Sequence, residues 1–179
     1  DDYVDISNQP QFETGSFTWM AWLLADNSNT DQVVFSHDLT STTGAALYLN
    51  SSNQWAFHTD GAGATHTTPV AAHSNNTWQH VAIVFDATSN ADLGGGNTQY
   101  TGDKSIYING VLQSTVTGIS YTVGPSGAMR LFASTGTASN FFTGSIDEMQ
   151  WYGRALAAKD ITREFGRIFP CELLDHLRI

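Results

Sequence analysis

The sequence predicts an all-β domain built from two packed antiparallel sheets, and three observations support this prediction. Apolar residues occur in short runs or in alternation, without a helical period, through residues 1–150. The chain is rich in Gly, Ser, Thr and Asn but has only 4 Pro, a mix that suits short strands joined by polar turns. Hydrophobic residues make up 41% of the 179 residues, enough for one core in a single domain.

Strand-like segments follow one another along the chain. Residues 17–24 are apolar at odd and even positions alike, as expected of a strand covered on both faces. In residues 78–85, Val81, Ile83 and Phe85 share one face. The predicted strands are residues 3–6, 17–24, 32–36, 46–49, 54–58, 78–85, 104–108, 111–116, 129–133 and 143–152.

Turn chemistry fixes several of the connections. Asn109-Gly110 is the strongest hairpin signal, because both positions tolerate positive φ. Residues 50–53 predict a second hairpin between two strands. Residues 86–103, with three glycines at 94–96, are predicted to form a loop, and residues 155–164 a short helix.

Five segments in one order resemble a known family. They are the Phe-Thr and Trp of residues 17–22, the Trp-x-His-Val-Ala of 78–82, the Ile-Tyr-Ile-Asn-Gly of 106–110, the Phe-x-Gly-x-Ile-Asp-Glu of 142–148 and the Arg-Ala-Leu of 154–156 with its following Asp-Ile. Together they resemble the laminin-G-like, concanavalin A-like domains, a group that includes pentraxins and legume lectins. The resemblance spans about residues 3–165 and implies a two-sheet antiparallel jelly-roll sandwich. We therefore expect one domain over residues 1–166 and an atypical tail over 167–179, either a cloning remnant or a segment that docks on a partner.

Charge and cysteine content limit the function classes. The net charge is −10 and the pI about 4.6, so phosphate backbones and anionic lipid surfaces are repelled, and we expect neither nucleic-acid nor membrane partners. No apolar stretch approaches the ~20 residues of a membrane span. Cys171 is the single cysteine, so an intrachain disulfide is excluded.

Catalytic patterns are weak. Jelly-roll glucanases use a strand that reads Glu-x-Asp-x-Glu, and residues 145–149 lack the first glutamate. Asp147 and Glu148 are adjacent, so a regular strand directs them to opposite faces. The chain has no Gly-x-Ser-x-Gly elbow, and its 6 His show no metal-site spacing. We therefore do not expect an enzyme.

Calcium is the cofactor that the resemblance implies, because laminin-G-like and pentraxin-like domains often hold Ca²⁺ at the sandwich edge or at the ligand rim. Asp147, in the matched Gly-x-Ile-Asp-Glu segment, is the first expected ligand. Asp2 is the second, since terminal strands are commonly neighbours in such folds. The alternative is that Asp147 accepts hydrogen bonds from turn amides.

Carbohydrate binding needs an exposed aromatic ring that stacks on a sugar, with polar groups that bond its hydroxyls. The candidate residues are Asp38, Asp60, Asn90, Asp92, Tyr100 and Phe141. Five tryptophans in strand-like runs are expected to build the core instead: Trp19, Trp22, Trp55, Trp78 and Trp151.

The sequence predicts a non-catalytic module of an extracellular or cell-surface multidomain protein, of bacterial style, that binds a glycan or another cell-surface ligand. A structural or protein-recognition module is the first alternative. A glycan-active enzyme is the second.

Overall fold

The computed structural model describes residues 2–9, 12–27, 30–37, 43–59, 65–69, 72–124, 128–134 and 139–167. Two antiparallel sheets and one helix form the described part of the chain, as the sequence predicts. In chain order the elements are β1 Val4–Ile6, β2 Phe17–Ala25, β3 Gln32–His37, β4 Ala45–Leu49, β5 Trp55–Thr59, β6 Thr65–Thr67, β7 Gln79–Gly94, β8 Asn97–Ile108, β9 Val111–Val123, β10 Met129–Leu131, β11 Gly144–Tyr152 and α1 Ala158–Arg167. The six-stranded sheet has the order β1-β10-β3-β4-β5-β6, and the five-stranded sheet the order β11-β2-β7-β8-β9.

Alternation of side chains along β2 explains how the layers pack. Its odd-numbered residues, from Phe17 to Ala25, face the second sheet, where Leu47 and Phe57 meet them. Its even-numbered Met20 faces away from that core, beside Leu156 and Ile161. The prediction that β2 is covered on both faces is therefore confirmed.

Helix α1 covers the outer face of the five-stranded sheet. Ile161 is fully buried there and packs with Ala82 and Tyr107. Thr18 fixes the segment that leads into the helix, because its hydroxyl donates to the Arg154 carbonyl at 3.0 Å and accepts from the Leu156 N–H at 2.9 Å. Helix α1 therefore covers the outer face of the five-stranded sheet and not that of the six-stranded sheet.

Residues 86–103 correct the sequence-based prediction. They are not a loop but the extended arm of the β7–β8 hairpin, whose turn lies at Gly95 and Gly96, both with positive φ. Gly102 permits the close pairing, since a Cβ there would lie 2.2 Å from the Asp86 carbonyl oxygen. In β7 the residues of the arm, 86–94, are almost all exposed. They therefore lack the apolar alternation that would indicate a strand.

Two predicted hairpins are confirmed. Asn109 and Gly110 have φ of 51° and 75°, as a two-residue turn with two left-handed positions requires. Residues 50–53 join β4 to β5, and the Asn50 Oδ1 accepts hydrogen bonds from the backbone N–H groups of Ser52 and Gln54.

The tryptophans divide into three groups. Trp19 and Trp55 are fully buried between the sheets, as predicted, and Trp151 packs at the edge of that core against Phe17. Trp22 is also buried, as predicted, but it lies on the face that the helix covers, in contact with His80 and Phe165. Trp78 precedes β7 and is half-buried.

Two features concern the C-terminal region. The register of β11 shifts between Asp147 and Gln150, and Glu148 has a φ of 52°, so the strict alternation expected at Asp147 and Glu148 does not hold. Helix α1 ends at Arg167, and residues 168–179 of the predicted tail lie outside the described residues. Among the described residues, the 10-residue helix α1 falls short of a membrane span.

Candidate functional site

The outer face of the six-stranded sheet presents two rows of side chains. Cross-strand register aligns Val33, Tyr48, Ala56 and Thr67 in one row. The neighbouring row crosses all six strands and consists of Asp5, Arg130, Ser36, Ala46, His58 and Thr65. Small alanines therefore alternate with large polar or aromatic side chains on this face.

This alternation produces a hollow. Ala46 is flanked by Tyr48 on its own strand and by His58 on β5, so its small side chain forms a floor between two taller walls. The hollow has a volume of about 110 Å³. The described residues that line it are Asp31, Val33, Ala46, Tyr48, His58, Ser134 and Asn140; below we call this set the β4 hollow.

The two walls of the β4 hollow are held by one threonine. The Tyr48 hydroxyl lies 3.5 Å from the Thr65 Oγ1, and the His58 Nδ1 lies 2.9 Å from the same atom. Burial, and to a lesser extent the Asp31 carboxylate, raises the pKa of the Tyr48 phenol, while the Thr65 contact lowers it. The phenol is therefore a neutral group at pH 7, able to donate or accept a hydrogen bond.

The rim of the hollow is polar. Asp31 is exposed, and one of its carboxylate oxygens accepts a hydrogen bond from the Ser51 N–H at 2.9 Å. Asn140 is also exposed and has a φ of 55°, and its backbone carbonyl accepts from the Val33 N–H at 2.7 Å. An apolar floor, an aromatic wall and a carboxylate–amide rim match what a sugar ring needs: a surface for its C–H face and partners for its hydroxyls.

Arg130 lies in the same cross-strand row as Ala46 and His58, on the β1 side of the hollow. Its Nε donates to one oxygen of Asp5 at 2.6 Å and its Nη2 to the other at 3.1 Å, while Nη1 donates to the Ser134 carbonyl at 2.8 Å. The Tyr3 ring lies 4.2 Å from the guanidinium carbon. Hydrogen bonding from Arg130 lowers the pKa of Asp5. The guanidinium is thus oriented by the protein itself.

Two of the predicted ligand residues meet at a different place. Asn90 and Tyr100 are cross-strand partners on the β7–β8 arm, where they line a notch of about 270 Å³ with Gly15 and Ser16. The Tyr100 ring packs tightly on Gly15, since a Cβ at Gly15 would lie 2.3 Å from it. One face of this ring is therefore already occupied.

The remaining predicted ligand residues are scattered. Asp92 lies at the end of the arm, where its Oδ1 accepts from the Gly94 N–H at 2.7 Å, as a turn residue does. Phe141 is half-buried and bridges to Val33, next to Asn140 of the hollow. Asp38 and Asp60 lie outside the described residues.

The two predicted calcium ligands lie on different sheets. Asp2 precedes β1 of the six-stranded sheet and lines a hollow with Thr143 and Gly144, at the start of β11. Asp147 lies in β11 of the five-stranded sheet, and its Oδ1 accepts from the Glu148 N–H at 2.8 Å. The described residues bring no three His, Cys, Asp or Glu side chains into one metal-binding group. Ca²⁺ takes six to eight oxygen ligands, so calcium stays a prediction that this pair alone does not fulfil.

Sequence reasoning did not select most of the β4 hollow as a site. Asp31, Tyr48 and Ser134 belong to segments that read as ordinary strand or loop. The available signal was the alternation in β4 and β5, where Tyr48 and His58 occupy the face opposite Leu47 and Phe57.

Several solved structures share this fold. The CBM40 of Ruminococcus gnavus IT-sialidase, determined with α2,3 sialyllactose, is 17% identical, with a TM-score of 0.63 over 93% of this chain and 97% of that one. Domain 4 of AbnA, a GH43 extracellular arabinanase from Geobacillus stearothermophilus in complex with arabinotriose, is 17% identical, with a TM-score of 0.61 over 84% and 66%. A heptameric SAP-like pentraxin from Limulus polyphemus is 14% identical, with a TM-score of 0.61 over 83% and 69%. At these identities the likeness shows the fold.

Sequence comparison identifies the family. No curated protein sequence matches the chain. The family model described as the concanavalin A-like lectin/glucanases superfamily matches residues 1–162, which is most of the 179 residues. The resemblance seen in the strand motifs is thereby confirmed, and the chain belongs to the concanavalin A-like lectin/glucanase superfamily.

Proposed function

We propose that this protein is a non-catalytic carbohydrate-binding module that recognises a glycan on the outer face of its six-stranded sheet. The observation that supports this most directly is the β4 hollow, where Tyr48 and His58 stand over a floor of Ala46 and Val33. A sugar seated there would contact the Tyr48 ring and direct its hydroxyls to Asp31 and Asn140. An extracellular setting, within a larger protein, fits this function.

A binding role is favoured over hydrolysis by the carboxylates of the site. Glycoside hydrolases use two carboxyl groups, about 5–9.5 Å apart, across the scissile bond. Asp31 is the one carboxylate among the described residues that line the hollow. A single acid can orient a hydroxyl but does not supply both catalytic roles.

Two relatives of the same fold support a glycan as the ligand. The structures of the CBM40 and of AbnA domain 4 were determined with sialyllactose and with arabinotriose. Sialyllactose and arabinotriose are ligands of those two proteins. For this chain they serve as a rational starting set of probes.

The test compares two tyrosines on one protein. A labelled glycan array is probed with the wild-type chain, and each hit is measured by calorimetry with Tyr48→Ala and Tyr100→Ala. Both tyrosines are half-buried in strands, but they line different cavities. We expect Tyr48→Ala to weaken binding about tenfold or more, roughly 1.4 kcal/mol, and Tyr100→Ala to leave it unchanged.

A second variant separates lost contact from lost space. Ala46→Leu adds an isopropyl group to the floor of the hollow on the outer face, away from the inter-sheet core. We expect it to abolish binding while the circular dichroism spectrum stays that of the folded wild type, with a lower melting temperature because Ala46 is buried. Loss of binding in Tyr100→Ala alone would move the site to the arm, and silence on the whole array would overturn the proposal in favour of a protein-recognition module.

A further inference from the structure

We infer that the β4 hollow selects uncharged sugars and disfavours acidic ones, such as sialylated or uronic-acid glycans. This inference rests on the proposed carbohydrate-binding function and names the chemical class of its ligand. It sets this chain apart from the CBM40 relative, whose structure contains sialyllactose. The charges around the hollow differ from those that a sugar carboxylate requires.

The carboxylate of Asp31 gives the β4 hollow a negative charge. Asp31 is exposed on the rim of the hollow, and its carboxylate is close enough to Tyr48 to influence the phenol electrostatically. Within the described ranges, the donor that is hydrogen-bonded to it is the backbone N–H of Ser51, which carries no positive charge. An acidic sugar in contact with Tyr48 would therefore place a second negative charge near the first, which costs binding free energy.

The positive charges are concentrated elsewhere. The chain has 7 Lys and Arg against 17 Asp and Glu. Lys104 is fully buried between the sheets, where its Nζ donates to the Phe57 carbonyl and to the Thr59 hydroxyl, both at 3.2 Å. Four further cations lie in α1 or just before it, on the side of the five-stranded sheet: Arg154, Lys159, Arg163 and Arg167.

Arg130 is the cation that remains on the described outer face of the six-stranded sheet, and its charge is already paired. Asp5 binds it through two oxygens, and the Ser134 carbonyl accepts from its third donor nitrogen. The Arg130 side chain is only 13% exposed. A sugar carboxylate would have to displace Asp5 to obtain the bidentate guanidinium contact that makes arginine a good carboxylate receptor.

The experiment removes one charge at the site and one elsewhere. Wild type, Asp31→Asn and Asp92→Asn are tested at pH 7.5 and about 20 mM salt, where screening is weak. Both carboxylates are exposed and accept one backbone N–H, so the two variants make the same chemical change. The probes are an array of neutral and acidic glycans, together with sialyllactose and its uncharged methyl ester.

We expect neutral glycans to dominate the array and the ester to bind more tightly than the acid. Asp31→Asn should narrow the ester-to-acid ratio about threefold, the effect of one unit charge at close range in water, and Asp92→Asn should leave it unchanged. Tighter binding of acidic glycans than of neutral ones would overturn this inference while the proposed function stands. Binding of no glycan at all would overturn the proposed function, and this inference with it.

Discussion

Side chains alternate between the core and the outer face in both sheets, but the two outer faces differ in polarity and in what covers them. On the five-stranded sheet, outward-facing Met20, Ala82 and Val84 are apolar, and helix α1 covers them. On the six-stranded sheet, the outward-facing row contains Arg130, Ser36 and His58. The described helix covers the first of these faces. The C-terminal segment therefore covers the apolar outer face, and the more polar outer face is the one for which we propose glycan binding.

The largest expected effect lies under the helix. Ile161→Ala removes a fully buried side chain from the cluster with Met20 and Leu156, and should lower the free energy of unfolding by about 2–5 kcal/mol. Tyr48→Ala on the outer face of the six-stranded sheet, below called the open face, should lower the free energy of unfolding by less than about 1.5 kcal/mol, because the ring is only half-buried. Urea unfolding of both variants measures this, and equal losses would contradict the division between the faces.

The covered face also predicts a dependence of stability on pH. His80 is buried between Trp22 and Phe165, and burial lowers its pKa from 6.5 to about 4, although Glu164 opposes the shift. The unfolded chain takes up a proton below pH 6.5, whereas the folded chain resists protonation down to about pH 4. Stability therefore decreases as the pH falls through this window, by about 3 kcal/mol from this one group.

His80→Phe isolates that contribution. Burial also lowers the pKa of His66 and His73, so the wild-type profile contains more than one histidine. We expect the stability difference between His80→Phe and wild type to shift in favour of the variant between pH 7 and pH 4.5. A difference that stays constant across this range would show that His80 titrates normally in the folded protein.

A smaller effect is expected where one hydroxyl ties the helix segment to the sheet. Thr18→Val keeps the shape but leaves the buried Leu156 N–H and the Arg154 carbonyl without this partner, at a cost of about 1–3 kcal/mol. Thr65→Val makes the same change on the exposed face, where water can replace the hydroxyl, and should cost about 0.5 kcal/mol or less. Thermal melts of the two variants, compared side by side, provide the measurement.

The covered face was easier to predict from sequence than the open one. Residues 17–24 are apolar at odd and even positions, which predicts burial on both faces. Asn109-Gly110 predicts its turn because both residues tolerate positive φ. For the β4 hollow, the alternation in β4 and β5 assigns Tyr48 and His58 to the outer face but does not indicate a cavity between them. It arises because register sets Ala46 opposite His58 and Tyr48 opposite Ala56, and a pairing between strands cannot be deduced from either strand alone. The β7–β8 arm was missed for a related reason, since its exposed strands need no apolar alternation.

The smallest effect concerns the edge of the open face. Asp5→Asn removes an ion pair in which Asp5 is exposed although Arg130 is largely covered, and pairs that water can screen on one side contribute little. Because the hydrogen bond from Arg130 lowers the pKa of Asp5, its stabilisation is present at pH 7 and is lost as the pH falls below the ordinary value of 3.8. We expect a slightly lower melting temperature for the variant at pH 7 and a difference that shrinks in acid and in high salt. A difference that persists under both conditions would mean that Asp5 stabilises this edge through packing instead of charge.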